Sequence, residues 1–318
     1  MSFANRTVPL RQASKRKEMT DSQKKVIGHI ASATTYTIFG LNIVMCKDIA
    51  NSETVSPYAL YLFRAIGATA LFWLCSLFSP NEKVPKKDMW QIFVASMIGL
   101  AIPQMTFLIS ITMTTSIDTS ILASFTPIMT MFVAAIAIKE PITWKKVLGV
   151  AMSFCGALLL IMNSVSNGGA ETTQPMGVVF IFINCLSFAI YLGVFRPLIS
   201  RYNVVTFMKW MFLYSTIVCL PFCIGDAIKC DYQSMTFTTT AEILFVVIFA
   251  TFVAYFLIPI GQKNIRPTLV SLYSYVQPII AVIISISIGL DSLSFEKCIA
   301  IVLVFTGVAI VNKSRSKK

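Results

Sequence analysis

The sequence predicts an all-α integral membrane protein whose ten transmembrane helices form two inverted five-helix repeats. Three observations lead there. The 318 residues are 56% hydrophobic and only 13% charged, with a mean hydropathy of +0.76, whereas soluble domains carry about 25% charged residues. The hydrophobic residues gather into ten continuous runs. The last five runs reproduce features of the first five at a constant offset of 151 residues.

A helix needs about 20 apolar residues to cross about 30 Å of hydrocarbon. The runs are Val26–Cys46, Pro57–Phe78, Trp90–Thr112, Thr119–Ile138, Val147–Met162, Pro175–Phe195, Thr206–Ile224, Glu242–Gly261, Thr268–Leu290 and Cys298–Val311. The fifth and tenth are short, so those helices are expected to run into their flanking loops. The runs are continuous rather than alternating, which excludes β-barrel strands. The same composition excludes a disordered chain, a collagen-like repeat and an ordinary cytosolic enzyme. Residues 1–25 read as a basic cytoplasmic tail, because the run from Val26 is too long for a signal-peptide core and no A-x-A-like site follows it. The expected divisions are a first repeat at 26–162, an outer linker at 163–174, a second repeat at 175–312 and a second basic tail at 313–318.

Orientation follows from the 26 Lys and Arg residues that, against 14 Asp and Glu, give a formal charge of +12. With the N-terminus inside and ten spans, 22 of them fall in cytoplasmic segments. Only Lys47, Lys229 and Lys297 fall outside, and Arg64 lies within the second span. Such a bias places both termini in the cytoplasm. The eight cysteines lie mostly in or at the ends of spans, with no C-x-x-C pair and a single His. They read as small buried hydrophobes rather than as a zinc site, and no metal or other cofactor is expected.

The repeat is specific in its details. Pro127 is followed thirteen residues on by Glu140 and then by Gly149 and Gly156; Pro278 is followed at the same spacing by Asp291, Ala300 and Gly307. Thr143-Trp144 falls on Ser294-Phe295, Gln104 on Tyr255 and Ser120 on Ser271. Five spans per unit is an odd number, so the second unit enters the membrane from the opposite side. Inverted repeats of this kind allow inward-open and outward-open states of similar energy, and alternating access by one half rocking on the other.

The repeated pattern of a fourth-span Pro, an acidic residue thirteen positions on and a Gly-punctuated fifth span resembles the EamA domain. Phe39-Gly40-Leu41-Asn42 followed by Lys47 is similar to that family's Trp-Gly-x-Asn…Lys opening of span one, with Phe replacing Trp, and Arg64 matches a frequent family feature. Residues 26–312 are thus identified as a member of the drug/metabolite transporter superfamily. The resemblance implies a carrier of small metabolites, often an exporter of amino acids or other solutes, with spans one, three, four, six, eight and nine lining the pathway.

Polar side chains in mid-membrane are expensive and face a cavity or another helix. The candidate solute contacts are Tyr36 and Asn42 in span one, Arg64, Gln104 in span three, Ser124 in span four, Asn184 and Tyr191 in span six, Tyr255 in span eight, and Ser274 and Gln277 in span nine. Pro103, Pro127 and Pro278 each withhold a backbone donor, and so mark kinks or gating points. Close helix packing by small and hydroxylated residues competes with the solute reading at each Ser or Thr. Arg64 can equally attract an anionic solute, pair with Asp118 or snorkel outward. Glu140 and Asp291 sit at span ends, where they orient loops. No Asp or Glu lies deep in a span, so strong proton coupling is not expected, and His29 reads as a packed or interfacial residue.

An enzyme is not expected. One His excludes H-E-x-x-H, no G-x-S-x-G or G-x-x-x-x-G-K-[ST] occurs, and Cys223-Ile224-Gly225-Asp226 lacks the first Gly of the Gly-x-Gly-Asp pattern. The expected function is secondary transport of a small neutral, zwitterionic or amphipathic metabolite. Two alternatives stand beside it: a nucleotide-sugar or sugar-phosphate carrier, which needs several cations for its phosphates, and a non-transporting scaffold or sensor. The partners are the solute and the lipid bilayer, without nucleic acid, and a homodimer is compatible with the sequence. The short loops suggest a bacterial inner membrane. Alkaline phosphatase fused after Lys318 is expected to be inactive, and the same enzyme inserted at 166–173 active; the reverse pattern would contradict the orientation.

Overall fold

A computed structural model describes residues 20–80, 82–114, 119, 122–165, 174–287 and 295–314. Asp118, Ser120, Asp291 and Ser294, most of both basic tails and most of the linker lie outside the described residues. The described residues are helical, without strands. They form α1 (Asp21–Asn51), α2 (Pro57–Ser76), α3 (Lys86–Met113), α4 (Thr126–Ala137), α5 (Trp144–Val165), α6 (Pro175–Val194), α7 (Val204–Lys229) and α8 (Phe237–Asn264). Pro267–Leu272, a 3-10 turn at Tyr273–Tyr275 and Val276–Ser287 together make α9, and Phe295–Asn312 makes α10.

The helix starts are written locally. Thr20 and Gln23 form a capping box ahead of α1: the Gln23 amide donates to Thr20 Oγ1 (3.3 Å) and the Thr20 amide to Gln23 Oε1 (2.9 Å). Ser56 caps α2 with Pro57 behind it, and Thr236 caps α8. α5 and α10 extend past their apolar runs, as expected. Five helices, α2, α3, α6, α7 and α8, are long and apolar enough to cross a membrane, and shorter apolar stretches occupy Thr126–Ala137 and Ile301–Val311. Large apolar side chains point outward, among them Ile136 (83% exposed), Phe222 (76%) and Phe237 (90%). Ser, Thr, Asn, Gln and Arg64 are instead buried inside the bundle. That is the distribution of a protein whose surroundings are apolar.

Two runs expected to be continuous are interrupted. The fourth span breaks at a turn over residues 124–125 before restarting at Thr126, and the ninth breaks at Tyr273–Tyr275. α3 and α8 widen into π-helical turns at Met97–Ala101 and Ile248–Val253. Each of the three prolines stands in the first turn of a segment that follows an irregularity: Pro103 after the α3 π-turn, Pro127 after the 124–125 turn and Pro278 after the 3-10 turn. A missing N–H is harmless there. The α8 π-turn has Ala254 where α3 has Pro103, so proline is not what widens the helix. The π-turns recur at the 151-residue offset, and the same offset carries the 124–125 break to the end of the Tyr273–Tyr275 turn.

Helix pairing follows the same exchange. α1 packs on α8 and α9 as α6 packs on α3 and α4, while α2 with α7 and α5 with α10 are self-corresponding pairs. Contacts sort the helix ends into two sets. At the end where α1 begins, here the proximal end, Gly28 meets Asn264 and Ile265 at the end of α8. There too the Arg196 Nε beyond α6 donates to the Gln262 carbonyl (2.8 Å). At the distal end the Gln174 amide ahead of α6 donates to the Met113 carbonyl at the end of α3 (2.9 Å).

α5 and α10 approach backbone to backbone: a Cβ on Gly149 would stand 2.6 Å from the Gly307 carbonyl oxygen. Gly at this contact lets membrane helices pack closely. Gly149→Leu is therefore expected to separate the pair and lower the melting temperature in detergent, while Gly225→Ala, which meets open space, leaves it unchanged.

Candidate functional site

A cavity of about 90 Å³ opens between α1, α2, α3, α4, α6, α8 and α9. Eight of the ten predicted solute contacts line it: Tyr36, Asn42, Arg64, Gln104, Asn184, Tyr255, Ser274 and Gln277. Pro103 lines it as well, while Pro127 and Pro278 do not, and α5, α7 and α10 contribute nothing among the described residues.

The wall is built on the irregular turns. A π-turn leaves backbone carbonyls without their usual partner, and side chains take them up. In α8, Thr251 Oγ1 donates to the Val246 carbonyl (2.7 Å) and in turn accepts from Arg64 Nε (2.9 Å). Arg64 is 2% exposed, and its Nη1 has no hydrogen-bond partner. Along α3, Asn184 Nδ2 donates to the Pro103 carbonyl (2.6 Å) and Ser187 Oγ to the Ile98 carbonyl (2.6 Å). Also on this wall, Asn42 Oδ1 accepts from Cys46 Sγ (3.4 Å), and Gln104 and Tyr255 both line the cavity. The rings of Tyr36 and Tyr255 each stand edge-on to Phe39, with centroids 5.8 Å apart in both pairs. The Tyr36 hydroxyl and Ser274 Oγ are buried without a partner.

Two predicted contacts stand elsewhere. Tyr191 is fully buried with its ring against Gly99 of the α3 π-turn. Ser124 is buried in the turn ahead of α4. Asn184, Ser187 and Tyr191 share one stripe of α6, but over two turns that stripe passes from the cavity into the α3 seam. Sequence reasoning missed Thr119, Ala123 and Thr126, and the apolar lining of Phe39, Ile43, Phe107, Ile181 and Phe188. The repeat offset held a usable signal: Ala123 falls on Ser274 and Thr126 on Gln277, and all four line the cavity. The apolar members carried none, because lining and packing phenylalanines look alike in sequence.

The proximal end is laced shut. Lys146 Nζ donates to Glu140 Oε1 (2.7 Å) and the Pro141 carbonyl (2.6 Å), both side chains being buried. Arg266 Nη2 caps α10 at the Ser314 (2.7 Å) and Val311 (3.2 Å) carbonyls. Tyr202 donates to Asp88 Oδ2 (2.5 Å), and desolvation and this carboxylate push its phenol up to about 12. His29 Nδ1 meets the Tyr273 hydroxyl at 2.8 Å.

Residues 26–162 and 175–313 each match the EamA-like transporter family. The chain belongs to that family. It is an integral membrane transporter, not an enzyme. An uncharacterized transporter of Bacillus subtilis, YetK, is 23% identical over 292 residues, covering 90% of this chain and 87% of its own. An uncharacterized transporter of Archaeoglobus fulgidus is 25% identical over 226 residues, covering 71% and 77%. The crystal structure of another protein superposes with a TM-score of 0.71 at 16% identity, covering 92% of this chain and 96% of that one; that likeness shows the fold alone.

Removing the acceptor of Arg64 Nε leaves a buried charged donor unsatisfied, which costs about 1–3 kcal/mol. Thr251→Val is therefore expected to lower stability by that amount in denaturant titrations, and Thr251→Ser to restore most of it.

Proposed function

We propose that this EamA-family protein is a secondary carrier that moves a small neutral, zwitterionic or amphipathic metabolite by alternating access. Its ten helices act as two inverted five-helix repeats, and the cavity is the solute site. The observation that carries this reading is the cavity itself: helices of both repeats enclose it, and three of its lining pairs occupy corresponding positions (Gln104 and Tyr255, Ala123 and Ser274, Thr126 and Gln277). The exchange of helix pairings between repeats supports the symmetry. So does the start of α1 and α6 at opposite ends of the bundle.

With both termini cytoplasmic, the laced proximal end is the inner face. The cavity then lies near the middle of the bundle, among the later residues of α1 and α3, the first residues of the fourth span and the middle of α6. Such a conformation receives solute from outside or releases it there, and the opposite state requires the inner ties to open. A cavity reached in turn from each side serves export or exchange when the solute gradient runs outward. The short loops are the ground for placing it in a bacterial inner membrane, where a homodimer is an allowed assembly. Arg64, the one lining cation among the described residues, is too few for a sugar phosphate or nucleotide sugar, whose phosphates need several.

Full-length protein in liposomes, screened against a metabolite panel, is expected to show substrate-dependent flux. Asn42→Ala and Gln104→Ala are expected to change its KM or rate at unchanged folded yield. Flux absent across the panel, or kinetics unchanged in both variants, would sink the assignment.

A further inference from the structure

We infer that the solute held in this cavity carries a single carboxylate, docked on the Arg64 guanidinium, and an uncharged apolar body against Phe39, Phe107 and Ile181. This rests on the carrier reading above and narrows it to an amphipathic monocarboxylate.

Arg64 is 2% exposed, and Thr251 holds only its Nε, leaving Nη1 buried without a partner. Among the described residues that line the cavity, none is Asp or Glu. A guanidinium taken out of water without a counter-charge is strongly unfavourable. The planar fork of Arg matches a carboxylate with two parallel hydrogen bonds. Pinning Nε on Thr251 fixes the plane of the fork, and the remaining nitrogens are the groups left for a ligand. A neutral solute would leave that charge without a counter-charge among the described lining residues. A dianion would bring a second charge with no second lining cation among the described residues to meet it.

The rest of the wall is of a different kind. Its remaining polar members are amides and hydroxyls such as Asn42, Gln104 and Gln277, which donate and accept without charge. Ring faces and aliphatic side chains supply much of the other surface. One charged contact, a few neutral ones and an apolar remainder suit a molecule with one ionised end and an apolar body.

The test uses purified full-length protein in detergent at pH 7, with binding followed by tryptophan fluorescence and thermal shift. The probes are phenylacetate and isovalerate against their amides, phenylacetamide and isovaleramide. At least one acid is expected to bind on the order of tenfold or more tightly than its amide. Arg64→Gln is expected to abolish that preference and Arg64→Lys to retain part of it, since the charge survives but the fork does not. If Arg64→Gln fails to fold, the acid–amide comparison on the unaltered protein decides alone. Amides binding as tightly as acids, no acid binding, chloride competing as strongly as the acids, or a folded Arg64→Gln that keeps the full preference would each overturn the inference. Flux of the same probes in liposomes separates the two claims. Acid binding without flux contradicts the carrier reading and leaves the carboxylate site standing. Equal, Arg64-independent flux of acids and amides does the opposite.

Discussion

In hydrocarbon every backbone N–H and C=O must find a partner within the protein, and this constraint organises the whole molecule. It confines the chain to helices and turns outward the apolar side chains such as Ile136 and Phe222. Irregular backbone is tolerated only where the bundle interior can complete it. The π-turns of α3 and α8 meet that condition because neighbouring side chains bond into them: Ser187 and Asn184 bond along α3, and Thr251 closes α8 from within. One of these groups, Asn184, also lines the cavity. Thr251 reaches the cavity wall through Arg64, since the hydroxyl that donates to the Val246 carbonyl also receives Arg64.

The two ends of the bundle are built unlike one another. Charged and long polar side chains knit the proximal end, with Glu140–Lys146 buried and Arg196 and Arg266 bonded to carbonyls at helix ends. Guanidiniums at such carbonyls meet the negative end of the helix dipole. A buried pair of this sort adds little net stability, but breaking one partner is strongly unfavourable. It therefore suits a contact that is either fully made or fully released. The cavity lies on the other side of the Gly99–Tyr191 contact, where neutral amides and hydroxyls dominate.

Much of this was legible in the sequence. Hydropathy located the five described helices that are long and apolar enough to cross a membrane, because an apolar run of membrane length has few other uses. The 151-residue offset located corresponding positions, and it also marks Thr126 and Gln277 as a pair on the cavity wall. Three features were not legible. The α8 π-turn carries no proline or other breaker at its position, so only the tertiary contacts reveal it. Tyr191 shares a helical stripe with Asn184, yet one meets Gly99 and the other the cavity, because a straight stripe crosses the boundary between them. Ser187 looks like a solute contact but holds the Ile98 carbonyl, and nothing local distinguishes a hydroxyl that bonds backbone from one that faces open space.

The central claim is that two corresponding halves exchange access to one cavity. Spin labels at exposed positions test it most directly, one pair at Ser200 and Lys313 on the proximal end and another at Ser52 and Gln233 on the distal end. Double electron–electron resonance in nanodiscs, with and without a transported solute, reads both distances. The account predicts two populations at each end, with the proximal distance lengthening as the distal one shortens. A single unchanging distance at both ends, or both ends widening together, would contradict it.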